Sequence, residues 1–210
     1  VTARVLSLNV GTPREIGRQQ GEPVVSAIGK RSVEGRVRVE GVNVAGDDQA
    51  DRTVHGGPDQ ALYAYASEDA AWWAQTLERD VPPGIFGENL TTSGVDCSNA
   101  LIGERWQIGG VLLEVSSARI PCAKLGRAFG DPLMLKRFGQ ASRPGAYLRI
   151  VEEGELGAGD PVEIVSRPNH EITVRFLADA ILLDRTLLPR LLEAPQLPER
   201  ILEWVRAVGA

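Results

Sequence analysis

Short runs in which apolar and polar side chains alternate fill the chain up to residue 167, and a glycine-free helical pattern replaces them over residues 173–208. Residues 3–10 (ARVLSLNV) are short and rich in branched side chains, which predicts a strand. Gly11, Pro13, Gly17 and Gly21 predict a loop after it. Over residues 35–44 valines alternate with Arg36, Arg38, Glu40 and Asn43, the period of a strand with one wet face, ended by Gly46, Asp47, Asp48 and Asp51. From Ser67 the pattern predicts a helix over 68–79, capped by Ser67, with Glu68 and Asp69 in its first turn and Trp72, Trp73 and Leu77 near one face. Pro82 and Pro83 stop it. Strands are expected over 105–108 and 111–117 around a hairpin turn at Gly109 and Gly110, and a short helix over 133–138 opened by Asp131 and Pro132. Two more strands, 146–151 and 161–165, flank a glycine-rich turn over 154–159.

Beyond Arg167 and Pro168 the composition turns to Leu, Ala, Glu and Arg, and three helices fit near 173–182, 185–193 and 199–208, with Asp184 and Pro198 as starts. The expected architecture is a mostly β domain with flanking helices over residues 1–167, followed by a small three-helix segment over 168–210. No internal repeat or low-complexity stretch interrupts it.

A chain of 210 residues buries about 70% of its unfolded surface in a single core, so no disulfide or structural metal is required. The formal charge of −5 argues against a general nucleic-acid binder, and no direct nucleic-acid contact is expected. The first residues lack the pattern of a signal peptide, and no apolar run approaches the roughly 20 residues that span a bilayer. Two cysteines without a CxxC neighbour fit a reducing cytoplasm and exclude an iron–sulfur cluster held by this chain alone.

Cys122, in SSARIPCAKLG, follows a strand with Arg119 and Lys124 close by. Nearby cations favour the thiolate, a soft ligand for transition metals, whereas the plainer alternative is an inert buried cysteine. Cys97, in VDCSNALIG, reads as structural, and a Cys97–Cys122 disulfide fits poorly with a cytoplasmic protein. His55 opens the turn HGGPDQALYAY, where Gly56 and Gly57 admit a ligand close to the backbone and Asp59 could orient the imidazole; a turn-stabilising histidine explains the same letters. Lys30, Arg31, Arg119 and Arg143 are candidate anion contacts, each also readable as a solvated surface charge. Glu88 and Asn89, in GIFGENLTTSG, could hydrogen-bond a polar heterocycle or tie down their own loop. Trp72 and Trp73 read as core, and His170 as structural or exposed.

Taken in order, HGGPDQALYAY, GIFGENLTTSG, SSARIPCAKLG and RPGAYLRIVEEGELGAGDPV resemble the MOSC family, and most closely its bacterial YiiM-like branch, over nearly the whole chain. The resemblance implies a β-barrel-like domain and a molybdenum–pterin cofactor (molybdopterin) with Cys122 as its protein ligand. It also implies reduction of N-hydroxylated compounds, such as hydroxylaminopurine-type base analogues, to amines. On that reading Lys30, Arg31, Arg119 and Arg143 neutralise the pterin phosphate, while His55, Asp59, Glu88 and Asn89 line the pocket or relay protons. Gln60 departs from the pattern, standing where lysine is often found. With no flavin or cluster signature, electrons come from a separate reductase. Two other readings are a carrier of cofactor or sulfur that catalyses nothing and a thiol hydrolase using Cys122 and His55. The helical tail offers a homodimerisation surface, with covering the β domain as the plainer role.

Overall fold

The computed structural model describes residues 2–48 and 56–208. Six strands come first: β1 (Arg4–Val10), β2 (Arg14–Gln19), β3 (Glu22–Ser26), β4 (Arg31–Val33), β5 (Arg36–Glu40) and β6 (Asn43–Val44). β7 (Leu62–Ala66) runs directly into helix α1 (Ser67–Leu77), followed by β8 (Leu90–Ser93), β9 (Arg105–Ile108) and β10 (Val111–Ala118). Two short helices, α2 (Ala123–Phe129) and α3 (Met134–Ala141), precede β11 (Ala146–Glu152), β12 (Gly154–Gly157) and β13 (Val162–Ser166). The chain closes with α4 (Val174–Leu182), a 3-10 helix (Arg185–Glu193) and α5 (Glu199–Val208).

Eight strands form the main sheet in the order β13-β9-β10-β11-β7-β8-β1-β4. Its first and last parts meet: Val162 N–H donates to the Ala3 carbonyl at 2.9 Å and Val5 N–H donates to the Asp160 carbonyl at 2.9 Å. The sheet therefore curls on itself, which satisfies backbone groups that an open edge would leave exposed. All pairings in it are antiparallel except β7 with β8, and α1 supplies the crossover that a parallel pair needs. Every residue of β7 is buried, as expected of a strand covered on both faces.

Several expectations change on folding. The loop read at residues 11–21 is a hairpin, because Gln20 (φ 52) and Gly21 (φ 89) make a two-residue turn of left-handed residues between β2 and β3. The strand read over 35–44 is likewise split, with Gly41 at φ 59 turning β5 back into β6. Ser67 does not cap α1: extended Ala66 holds the cap position without a side-chain bond, since the helix starts where the sheet ends, and Ser67 Oγ donates instead to Glu68 at 3.1 Å. The helix ends on left-handed Glu78 before its prolines are reached. Helix α2 escapes sequence reading because seven residues with a glycine inside show little of the 3.6-residue period.

Two clusters make up the interior. The larger packs Val5, Trp106, Leu113 and Leu148 against Leu177, Leu191, Leu202 and Val205, so the three C-terminal helices share it with the sheet. Thr173 caps α4 by accepting from Phe176 N–H at 3.0 Å, and Pro189, lacking an N–H, leaves the middle helix in 3-10 form. The smaller cluster is aromatic: Tyr63, Tyr65, Trp73, Phe86, Phe129 and Phe138 pack beneath α2 and α3. Trp73 lies parallel to Phe138 at 6.1 Å and donates to the Tyr65 hydroxyl at 2.8 Å. Among the described residues no helix is long and apolar enough to cross a membrane.

Candidate active site

Strand ends build the site. β10 passes from its last buried residue, Ala118, into Arg119, Ile120 and Pro121, and the extended backbone of Cys122 (φ −129, ψ 170) forms the cap of α2. Cys122 faces a cleft of about 670 Å³ that also receives Lys30, Arg119, Asn89, Tyr63 and Tyr147. Lys124, Gln60, Asp47 and Asp48 complete its rim. The floor is the edge of the aromatic cluster, with Tyr63 and Tyr147 at 5.1 Å.

Arg119 is a buried cation of this cleft, only 8% exposed. Its guanidinium lies over the Tyr63 ring at 5.1 Å and Nη1 donates to the Phe86 carbonyl. Burial opposes its charge, yet Tyr147, Tyr63, Cys122 and Glu88 together outweigh that cost and lift its pKa further. Its Nε, buried in the same place, has no hydrogen-bond partner. A donor in that state usually has a missing acceptor.

Lys30 is held by Asp47, whose side chain also accepts from Gly11 N–H at 2.7 Å and from Asn89 Nδ2 at 3.0 Å. Burial lowers the Lys30 pKa, with Asp47 pulling the other way. Asn89 is a clasp between strands: Oδ1 accepts from Tyr63 N–H at 3.1 Å, and Nδ2 also reaches the Asn9 carbonyl at 3.2 Å. Glu88 lies behind this wall, outside the cleft lining. Its Oε1 accepts from Gly84 N–H at 2.6 Å and from the Thr91 hydroxyl at 3.0 Å, while Oε2 has no partner. Burial raises its pKa, so the Glu88 proton is held more tightly than usual. The same cause raises Tyr147, which keeps its phenol proton.

Of the residues singled out in the sequence, Cys122, Lys30, Arg119 and Asn89 converge on the cleft. Three do not. Arg31, at the first position of β4, lines a separate cleft with Arg14, because successive side chains on extended backbone point to opposite sides. Arg143 pairs with Asp69 and lies over Trp72 at 4.7 Å, tying α1 to the turn before β11. That turn needs Gly145 (φ 63), where a Cβ would sit 2.6 Å from the Tyr65 ring. Asp59 is drawn to Arg149, accepting from its Nε at 3.0 Å, because this half-buried guanidinium needs the carboxylates of both Asp59 and Glu114. His55 lies outside the described residues.

Sequence reading missed Asp47, which looked like a strand terminator, and both tyrosines. The alternation of LYAYA and AYLRI, which sends every second side chain to one face, carried the signal for Tyr63 and Tyr147. Cys97 is fully buried and lies against the Thr92 hydroxyl at 3.3 Å, and it forms no disulfide with Cys122.

The chain matches the MOSC domain family over residues 51–163. It is 37% identical over 172 residues to the uncharacterized protein YflK of Bacillus subtilis, covering 82% of this chain and 77% of that protein. It is 33% identical over 186 residues to a protein of Gibberella moniliformis named a reductase, covering 85% of this chain and 32% of that longer protein. The crystal structure of YiiM from Geobacillus stearothermophilus superposes with a TM-score of 0.80 at 26% identity, covering 98% of both chains.

Proposed function

The chain belongs to the MOSC domain family, and on that premise we propose that it holds a molybdenum–pterin cofactor through Cys122 and reduces N-hydroxylated compounds to amines. The observation that carries this reading is the convergence of a thiol, the buried Arg119 with its unpartnered Nε, and Lys30 on one cleft with a tyrosine floor. These groups fit an anionic, flat, metal-bearing ligand: arginine and lysine for a phosphate, tyrosine rings for a heterocycle, sulfur for a soft metal. Among the described residues no three His, Cys, Asp or Glu side chains gather to hold a bare ion, so Cys122 would share the metal with donors of the cofactor itself. The name of the Gibberella relative lends the redox half of the reading its support.

When bound, the cofactor supplies the two-electron chemistry that converts R–NHOH, two electrons and two protons into R–NH2 and water. The chain does the rest. Arg119, through its unpartnered Nε, would hold the phosphate, and Lys30, fixed by the Asp47–Asn89 network, would add a second positive charge to the cleft. Tyr147, kept protonated by burial, lines the cleft and would be the candidate proton donor to the leaving hydroxyl.

The test uses protein from a host that makes the cofactor. Wild type should contain molybdenum and reduce a hydroxylamine substrate with reduced methyl viologen as donor, and Cys122→Ala should lose both. Retention of metal and turnover by Cys122→Ala sinks the ligand assignment. Metal without turnover in the wild type leaves a carrier in place of a reductase.

A further inference from the structure

Glu88 is a buried carboxyl between two residues that line the cleft, Gly87 and Asn89, yet it does not line the cleft itself. Its bonds run along the chain instead. Oε1 accepts from the N–H of Gly84 at 2.6 Å and from the Thr91 hydroxyl at 3.0 Å, so one oxygen ties the turn over residues 84–88 to strand β8. Oε2 has no partner among the described residues, so the hydrogen bonding of this side chain runs through Oε1. Gly84 N–H is buried with it, and without that oxygen the donor would be left unsatisfied.

The turn that Glu88 closes touches two cations of the cleft. The Phe86 carbonyl accepts from Arg119 Nη1, and the Gly84 carbonyl accepts from the backbone N–H of Lys30 at 2.9 Å. Packing at both places is close. A Cβ on Gly84 would collide with the Lys30 carbonyl, and one on Gly87 would lie 3.5 Å from Arg119 Nη1. From the other side the Phe86 ring, fully buried, stacks on Tyr65 at 4.3 Å and pins the turn to the aromatic cluster. Lys30 precedes β4 and Arg119 follows β10, so this turn joins two cations that the chain itself keeps far apart. A shift of the turn would move both.

We infer that Glu88 is a positioning residue: by closing the turn over residues 84–88 it sets the spacing of Arg119 and Lys30, and with it the affinity of the cleft for a phosphate group. The inference rests on the reading above that the cleft takes the phosphate of a cofactor. Glu88 touches no ligand and acts through the two carbonyls of its turn. A phosphate shared by a planar guanidinium and an ammonium depends on both distances at once, so a small displacement of either cation weakens it. The GENL segment thereby acquires a role that neither direct ligand contact nor simple loop closure describes.

The probe is inorganic phosphate, titrated by NMR into the metal-free chain, so the readout needs neither bound cofactor nor turnover. Glu88→Met, which keeps the volume and loses the acceptor, should bind phosphate at least about tenfold more weakly than wild type. Glu88→Gln keeps a carbonyl oxygen for Gly84 N–H and Thr91, and should stay within about twofold of wild type. Leu202→Ala, in the core beneath α5, should melt lower yet bind phosphate within about twofold of wild type. Wild-type affinity in Glu88→Met overturns the inference, as does an equal loss in Glu88→Gln or Leu202→Ala. Should Glu88→Met not fold, Thr91→Val decides: it removes one of the two donors to Oε1 and should weaken phosphate about threefold, and no change overturns the inference. No phosphate binding by the wild type would remove the anion reading of the cleft instead. Amide exchange at Gly84 and Lys30 then decides whether Glu88 places the two cations. It should be at least about tenfold faster in Glu88→Met than in wild type and Glu88→Gln, and equal rates in all three overturn the inference.

Discussion

Cys97 and Cys122 are the same side chain in opposite settings. Cys97 sits fully buried behind β8, its thiol pushed up to about 12 by burial, with Asp69, Asp96 and Glu68 adding to the same direction. Cys122 is partly exposed at a strand-to-helix junction, in a cleft that also holds Lys30, Arg119 and Lys124. The contrast teaches that the use of a thiol is set by solvent access and by the sign of charge brought to it. Only part of that charge is adjacent in sequence: Arg119 and Lys124 are near Cys122 along the chain, while Lys30 arrives from the far side of the sheet.

Replacing each cysteine by serine is the harshest way to break this contrast. Cys122→Ser should reduce molybdenum content of the purified protein by about 100-fold or more, while Cys97→Ser leaves the metal in place, as metal analysis of both proteins would show. Alkylation of the metal-free native protein sharpens it next. Iodoacetamide should modify Cys122 at least about 100-fold faster than Cys97, which becomes accessible only on unfolding; peptide mass spectrometry reads the two rates. Equal rates would mean that the burial difference does not hold in solution.

Arg119→Lys keeps the cation near the thiol but removes the planar fork. It should weaken cofactor retention about tenfold, measured as metal occupancy after dialysis, and wild-type occupancy would show that a point charge suffices. Glu88→Gln gives the smallest effect and concerns pH. The Glu88 pKa is raised in the folded protein, so the folded state holds this proton more tightly than the unfolded chain. The stability it contributes is complete below the unfolded value and is lost as pH rises through the folded one. Glutamine cannot ionise, so Glu88→Gln should melt higher than wild type at pH 7 and at the same temperature at pH 4. Identical melting at both values would show that Glu88 does not carry a buried charge.

Much of the fold was legible. The 105–117 hairpin and the glycine-free tail depend on short-range patterns, period two around Gly109 and Gly110 and helix-forming composition after residue 173, and both formed close to where the sequence placed them. The missed elements are those in which one or two residues redirect the chain, as at Gln20 and Gly41, or in which the run is too short for a period to show, as in α2 and β4. For the site, the motif around Cys122 named a sulfur and an arginine, Arg119, that share one cleft, whereas Asp59 and Arg143 are paired away from it. A half-buried guanidinium claimed the first and a helix carboxylate the second, and neither competitor lies within reach of its partner along the sequence.

The sequence by itself determined the alternating strands, the helical tail and which residues could bear charge or ligate a metal, because propensity and period act between near neighbours. Which of those residues share a cleft was decided only by tertiary structure. Lys30 and Arg31 are joined by one peptide bond yet line different clefts, while Lys30 and Arg119, far apart along the chain, line the same one. Extended backbone sends adjacent side chains apart, and strand order brings distant strand ends together.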